Sequence, residues 1–461
     1  MKSSLTLVPL LVVLACGDET APAAESSTTE SPLPVTYSFE SRFTPGEPSV
    51  AYSGQVLRNV LIADMFSYTS SLTSLVDGDE APSNLAEDLL FYYDFGEVGN
   101  EIEIELAFVD IPNEQIIYND ISNAKNLSGK IAGNDPIGQS KDWDTEFIGW
   151  PGAANPDALI RSWINQIGEL TDQRQGAEPP TAPDGTPIKE TFVTPNGLDL
   201  AQLIQKFQYT AIGFSQAADD YMDNDLEEHG LNVSNTQDEE NPYSALEHHW
   251  DEAFGYFGAS RTYGKQNKTE LIELKYDDAD ESKSVNLQNE AHYGMAVNAA
   301  KRDETAIIET QFSNNAWQAF IGGRHLIANA SDVLTELEEN QLIEFRDQAI
   351  EAWEQTIAAT AVHYINDVLD DMGQFNTDDY QFEEHAKHWS ELKGYAFAFQ
   401  FNPRSPLSDV DFTEFHALVG VQPVLENAPE AAQTAYRENL AAARELLQNA
   451  YDFSPENVEA W

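Results

Sequence analysis

One eight-residue pattern, H-W-x-E-x-x-G-Y, occurs twice in this chain. It reads His249-Trp250-Asp251-Glu252-Ala253-Phe254-Gly255-Tyr256, and again His388-Trp389-Ser390-Glu391-Leu392-Lys393-Gly394-Tyr395. The chain has only 9 His and 8 Trp, so a repeat that spends both letters in register constrains the fold. Read as helix, each window sets His, Glu and Tyr at i, i+3 and i+7, close to one face. Its glycine costs about 1 kcal/mol of helix propensity relative to Ala, which implies that a neighbouring helix passes close by. The expectation is a mainly α protein in which two related helical halves form a duplicated bundle.

Periodicity along the rest of the chain agrees with helices. Val56, Leu57, Val60, Leu61, Met65 and Phe66 recur at helical spacing from Gly54. A second helix is expected over Asn84 to Tyr93, and a third carries Ile160, Trp163, Ile164 and Ile167 behind Pro156-Asp157. Leu200, Leu203, Ile204, Phe207, Ala211 and Phe214 mark a long helix ending near Asp225. The repeated windows fall in helices over about 243–259 and 379–400, with others near 285–302, 309–336, 338–372 and 429–449. Two segments alternate instead. Val35 to Phe39 and Glu101 to Phe108 (EIEIELAF) read as short strands, so a small strand-containing elaboration is expected near the N-terminus. The organisation is then 1–16 leader, 17–34 tether, 35–195 a region of helices, short strands and loops, and 196–461 the helical bundle with both H-W helices.

The leader reads as an export signal with a lipid attachment site. Lys2 precedes the apolar run Leu5 to Leu14, which is too short to span a bilayer. It ends in Val13-Leu14-Ala15-Cys16, which resembles a bacterial lipobox with Cys16 as the acylated residue. Cys16 is the only cysteine, which excludes a disulfide within the chain and a cysteine nucleophile elsewhere. Gly17 after it, by resemblance to lipoprotein sorting signals, points to the outer membrane, facing the periplasm or the cell surface. The following Ser, Thr, Ala, Pro and Glu residues to Pro34 have little to bury and suit a tether. With 79 acidic against 24 basic residues, the net charge of −55 excludes nucleic acid as a partner and favours cations. The acids are spread along the chain, which also fits a surface kept soluble in salt.

If both H-W helices face one interior, His249, Glu252, His388 and Glu391 converge as ligands for iron or another divalent transition metal. Glu247, His248, Asp251 and His385 are alternate ligands or would orient the first four. An i, i+3 His–Glu pair is also an ordinary helix contact worth about 0.2–0.5 kcal/mol, so a purely packed core is the competing reading. Signatures of zincins, nucleophile elbows, phosphate loops and dinucleotide folds are absent from the sequence. A hydrolase using Glu252 or Glu391 as base has no evident nucleophile.

The segment Ala245 to Gly258 (ALEHHWDEAFGYFG) resembles the signature of a bacterial lipoprotein family, domain of unknown function 4856. Glu384 to Tyr395 and Ala358 to Asn366 are similar to later segments of that family. The layout also resembles, more distantly, imelysin-like proteins, duplicated helical bundles associated with iron uptake and marked by G-x-H-x-x-E. Here H-x-x-E is present twice, but Glu247 and Ala386 stand where that motif has Gly. The resemblance implies an outer-membrane-anchored lipoprotein that binds a metal, iron above all, or a metal-bearing ligand without turnover. Its partners would be the membrane through Cys16 and an outer-membrane transporter or another iron-uptake protein. The alternative is a scaffold or adaptor lipoprotein that docks a transporter and holds no ligand.

Overall fold

The computed structural model describes residues 32–461 except 79 and 81, and Pro34–Trp461 forms one compact unit. The leader, Cys16 and most of the tether lie outside the described residues. In chain order the α-helices are α1 (Ser53–Asp77), α2 (Leu85–Tyr93), α3 (Trp143–Glu146), α4 (Pro156–Arg174) and α5 (Leu200–Gln208). They continue as α6 (Ala245–Phe257), α7 (Lys268–Glu273), α8 (Gly294–Thr305), α9 (Phe312–Asn329) and α10 (Glu336–Gly373). The last are α11 (Phe382–Ala396), α12 (Asp409–Val419), α13 (Glu430–Ala450) and α14 (Pro455–Ala460). The protein is mainly α. None of these helices is long and apolar enough to cross a membrane.

Local chemistry sets the boundaries that matter for the site. Asp199 accepts the Gln202 N–H at the start of α5, and Asn155 accepts the Ala158 N–H beside Pro156 at the start of α4. α6 opens with a capping box: Ser244 Oγ accepts from Glu247 N, and the Glu247 carboxylate accepts from Ser244 N. It closes at Gly258, where φ is +83° and a β-carbon would press on Tyr293, so glycine is required there. Beyond α5 the helix continues as two wider π segments, Tyr209–Phe214 and Ala217–Tyr221, in place of the single α-helix expected to Asp225.

The expected strands are not formed. Among the described residues there are isolated β-bridges and no sheet. The segment from Glu101 makes two isolated bridges, Glu103 with Ile117, flanked by Ile104 N to Ile116 O and Tyr118 N to Ile102 O, and Phe108 with the nearby Ile111. The partner of Glu103 then turns into a 3₁₀ helix at Tyr118–Asp120, so the ladder has nowhere to extend. Alternation therefore reports half-burial here without a strand partner. Val35 to Phe39 likewise runs as an irregular strap, with Tyr37 buried against Phe254 in a stacked pair at 3.8 Å.

The core is helix on helix. α10 packs along α9 and α11, α11 packs on α5, and α6 packs on α1, α9 and the second π segment. Trp250, Trp353 and Trp389 are all fully buried. The Gly322-Gly323 pair of α9 is explained by close approach, since a β-carbon at Gly323 would clash with the Trp250 ring and one at Gly322 would meet Phe345 at 2.5 Å.

Candidate functional site

The two windows build the same local arrangement. A β-carbon at Gly255 would meet Tyr52 and Gln55 of the α1 end at 2.8 and 2.9 Å, and one at Gly394 would meet Lys206 of α5 at 2.5 Å. The residue admitted by each glycine then binds the glutamate of the same window. Gln55 Nε2 donates to Glu252 at 2.7 Å, and Lys206 Nζ lies 3.2 Å from Glu391. Tyr256 stacks on Tyr221 at 6.2 Å, and Tyr395 stacks on Tyr364 at 6.1 Å. The likeness is local, because the flanking elements differ: α1 and a π segment at the first window, α5 and the long α10 at the second.

The structure gives the two His–Glu pairs separate surroundings, with no shared partner. At the first, His249 and Glu252 line an open basin of about 620 Å³ together with His248, His229, Asp220 and Asp135. Arg58, Lys125 and Lys130 line it as well, a concentration of cations unusual for so acidic a chain. Hydrogen bonds fix the imidazoles. His249 Nδ1 lies 3.0 Å from Gly230 O, and His248 Nδ1 lies 2.9 Å from Ala51 O. A carbonyl only accepts, so each Nδ1 carries the hydrogen, and a ring that is neutral then has its lone pair on Nε2; His248 Nε2 lies 3.9 Å from Glu252. Burial holds His249 below its ordinary pKa, against the pull of Glu252, and keeps that lone pair free of a proton. His229 Nε2 lies 2.6 Å from Asp220 Oδ1, and the His229 and His249 rings are 6.1 Å apart. Burial pushes the Asp220 carboxyl up to about 6, opposed by Lys130 and His229.

Glu247 and Asp251 do not join the basin. They stand one helical turn apart on another side of α6, fully buried, and both are bound by Arg324 of α9. Arg324 Nη1 meets Glu247 at 2.8 Å, Nε meets Asp251 at 2.9 Å, and Nη2 donates to Ser49 Oγ at 2.7 Å. Tyr37 Oη and Ala51 N complete the shell of Asp251 at 2.8 and 3.1 Å. Their carboxylates are committed to the framework, and the expectation of ligand duty for them gives way to that geometry.

At the second window, His388 Nδ1 lies 2.8 Å from Asp371, and Glu391 accepts from Tyr364 Oη at 2.9 Å besides pairing with Lys206. Burial opposes a charge on His388, but Asp371 and Asp367 outweigh it and raise its pKa. His385 is fully buried, its Nδ1 3.1 Å from Tyr380 Oη, and burial lowers it to about 4. Among the described residues one trio of carboxylates converges, Asp278, Asp280 and Glu290, in the acidic loop after α7 and apart from both windows. No trio of ligand atoms at either window is as tightly gathered.

The residues that sequence reading missed are His229, Asp220, Arg58, Lys125 and Lys130. They reach the basin from α1, two loops and a π segment, and only Lys130-to-Asp135 carries a local signal, as a short ion pair.

The fold and the basin define a helical-bundle protein with a polar site beside its first H-W helix. The chain belongs to the family described as domain of unknown function 4856, whose model matches residues 157–402, more than half of its length. No curated protein and no solved structure matches it.

Proposed function

We propose that this protein binds a metal-bearing, anionic ligand in the basin of the first window, without turning it over. The supporting observation is the pair of neighbouring imidazoles whose Nδ1 hydrogens are tied to backbone carbonyls, leaving both Nε2 atoms toward the basin that Glu252 lines. That outer hydrogen bond is how metal-binding histidines are commonly held. The basin gathers too few close ligand atoms to enclose a bare ion, and it adds Arg58, Lys125 and Lys130. A ligand that brings its own oxygen donors and a negative charge, a metal carboxylate chelate, fits both facts. Iron is the metal to which the imelysin resemblance points. The protein would act as an outer-membrane lipoprotein, anchored through acylated Cys16 and facing the periplasm or cell surface, beside an iron-uptake transporter.

The test exposes the purified protein to ferric citrate and to free iron, zinc, manganese and calcium, then measures retained metal by elemental mass spectrometry. Retention of metal from the chelate, lost in His249→Ala and Glu252→Gln and kept in His388→Ala, is expected. Retention unchanged in His249→Ala would overturn the reading.

A second reading, a scaffold lipoprotein that holds no ligand, draws on the second window, where His388 and Glu391 are engaged by Asp371, Lys206 and Tyr364. Under it, none of the three variants changes metal retention.

A further inference from the structure

α8 carries Arg302 into the protein interior. The residue is 6% exposed, yet neither its Nε nor its Nη1 has a hydrogen-bond partner. Buried guanidinium groups are ordinarily paired, and one left without partners calls for an ion, a water or a ligand. Neither nearby acid hydrogen-bonds Arg302 Nε or Nη1. Asp367 lies 3.3 Å from His363 Nε2, and Glu391 is held by Lys206 and Tyr364. Asn298, one turn before Arg302 on α8, donates to Tyr395 Oη at 2.6 Å and joins α8 to the second window.

The neighbours add positive charge. Lys301 is half-buried with no carboxylate partner among the described residues, and burial holds it below its usual pKa, with Lys275, Arg302 and Lys206 adding to the effect. Burial likewise lowers Arg302, against Tyr364, Asp367 and Tyr395. Such a group of cations in a chain with 24 basic and 79 acidic residues is poorly explained by packing alone.

We propose that Arg302, with Lys301, forms a second binding site, for a small oxyanion such as a carboxylate or phosphate group, where α8 meets the second H-W helix. The anion would accept from Arg302 Nε or Nη1, which face different edges of the guanidinium, and Lys301 would supply further charge.

Calorimetric titration of the full chain with inorganic phosphate, and separately with citrate, tests the site and separates the two anion classes. Binding of either is expected, weakened about tenfold or more in Arg302→Met and less in Lys301→Met. The ligand-free Arg302→Met protein is also expected to melt at a higher temperature, because it sheds an unpartnered buried charge; a structural arginine would give the reverse. Titration of His249→Ala separates this site from the basin. Absence of binding by both anions at millimolar concentration, or binding lost in His249→Ala but kept in Arg302→Met and Lys301→Met, overturns the proposal.

Discussion

Replacing Arg324 with Met would leave Glu247 and Asp251 buried with no cation beside them. Arg324 has no exposed surface, and its side chain spans two carboxylates and Ser49. Removing one partner of a buried ion pair costs about 3–5 kcal/mol, because the charge left behind is uncompensated. That is a large part of the ~5–15 kcal/mol by which folded domains are stable. The loss carries a pH signature. Burial already raises the Asp251 carboxyl above its ordinary value, with Arg324 the largest opposing influence. Without Arg324 it rises further. A carboxyl raised in the folded state contributes stability that is full below its unfolded value, about 3.9, and lost as pH climbs through the folded value. The variant should therefore lie closest to the parent in acid and fall away toward neutrality. Urea unfolding of both proteins at about pH 5 and about pH 8 measures this as a difference in midpoint. Adding Glu247→Gln and Asp251→Asn should recover much of the loss. A cost below about 1 kcal/mol, or one that does not grow with pH, would refute the assignment of this trio as a buried charge network.

Gly394→Ala should destabilise by about 1–3 kcal/mol despite its better helix propensity, read by denaturant midpoint, because the new methyl meets Lys206 at 2.5 Å. Gly255→Ala should do likewise against Tyr52 and Gln55. Trp250→Ala should cost about 3–5 kcal/mol, since a fully buried indole and its bond to Phe320 O are both lost. Lys393 is buried, and burial lowers it to about 7, so the unfolded chain binds its proton more readily above that pH. Stability should thus gain a rising contribution from about 7 toward the ordinary lysine value, and Lys393→Met should flatten that slope in a series of melts.

The helices were legible from periodicity, and the costly Gly255 and Gly394 announce neighbours that the structure supplies at α1 and α5. Where a residue's partner is remote, its role was hidden. Glu247 and Asp251 read as alternate ligands or orienting groups because Arg324, which commits them, comes 77 and 73 residues later. The basin was half visible for the same reason. His248, His249 and Glu252 share one helix, whereas His229, Asp220 and the three cations come from α1, loops and a π segment. The π segments escaped notice because Ala211 and Phe214 keep an apolar spacing that an α-helix would also give. EIEIELAF misled because alternation needs a partner strand, and Tyr118–Asp120 turns away just past the Glu103–Ile117 bridge.

The strap of residues 37–51 bears on how the molecule comes together during synthesis. Ser49, Ala51 and Tyr37 leave the ribosome early, but the guanidinium that Ser49 serves is 275 residues downstream. Closing so long a loop is a late event, and until then Arg324 and the two acids lack the Tyr37, Ala51 and Ser49 groups that complete their shell. A fragment cut to residues 157–402 would keep Arg324 and both acids, but it would lack the strap and α1 that cover them. The first residues of the folded body therefore act as its last fastening, and α6 should gain protection from hydrogen exchange only when the chain from Tyr37 through Arg324 is present in one piece.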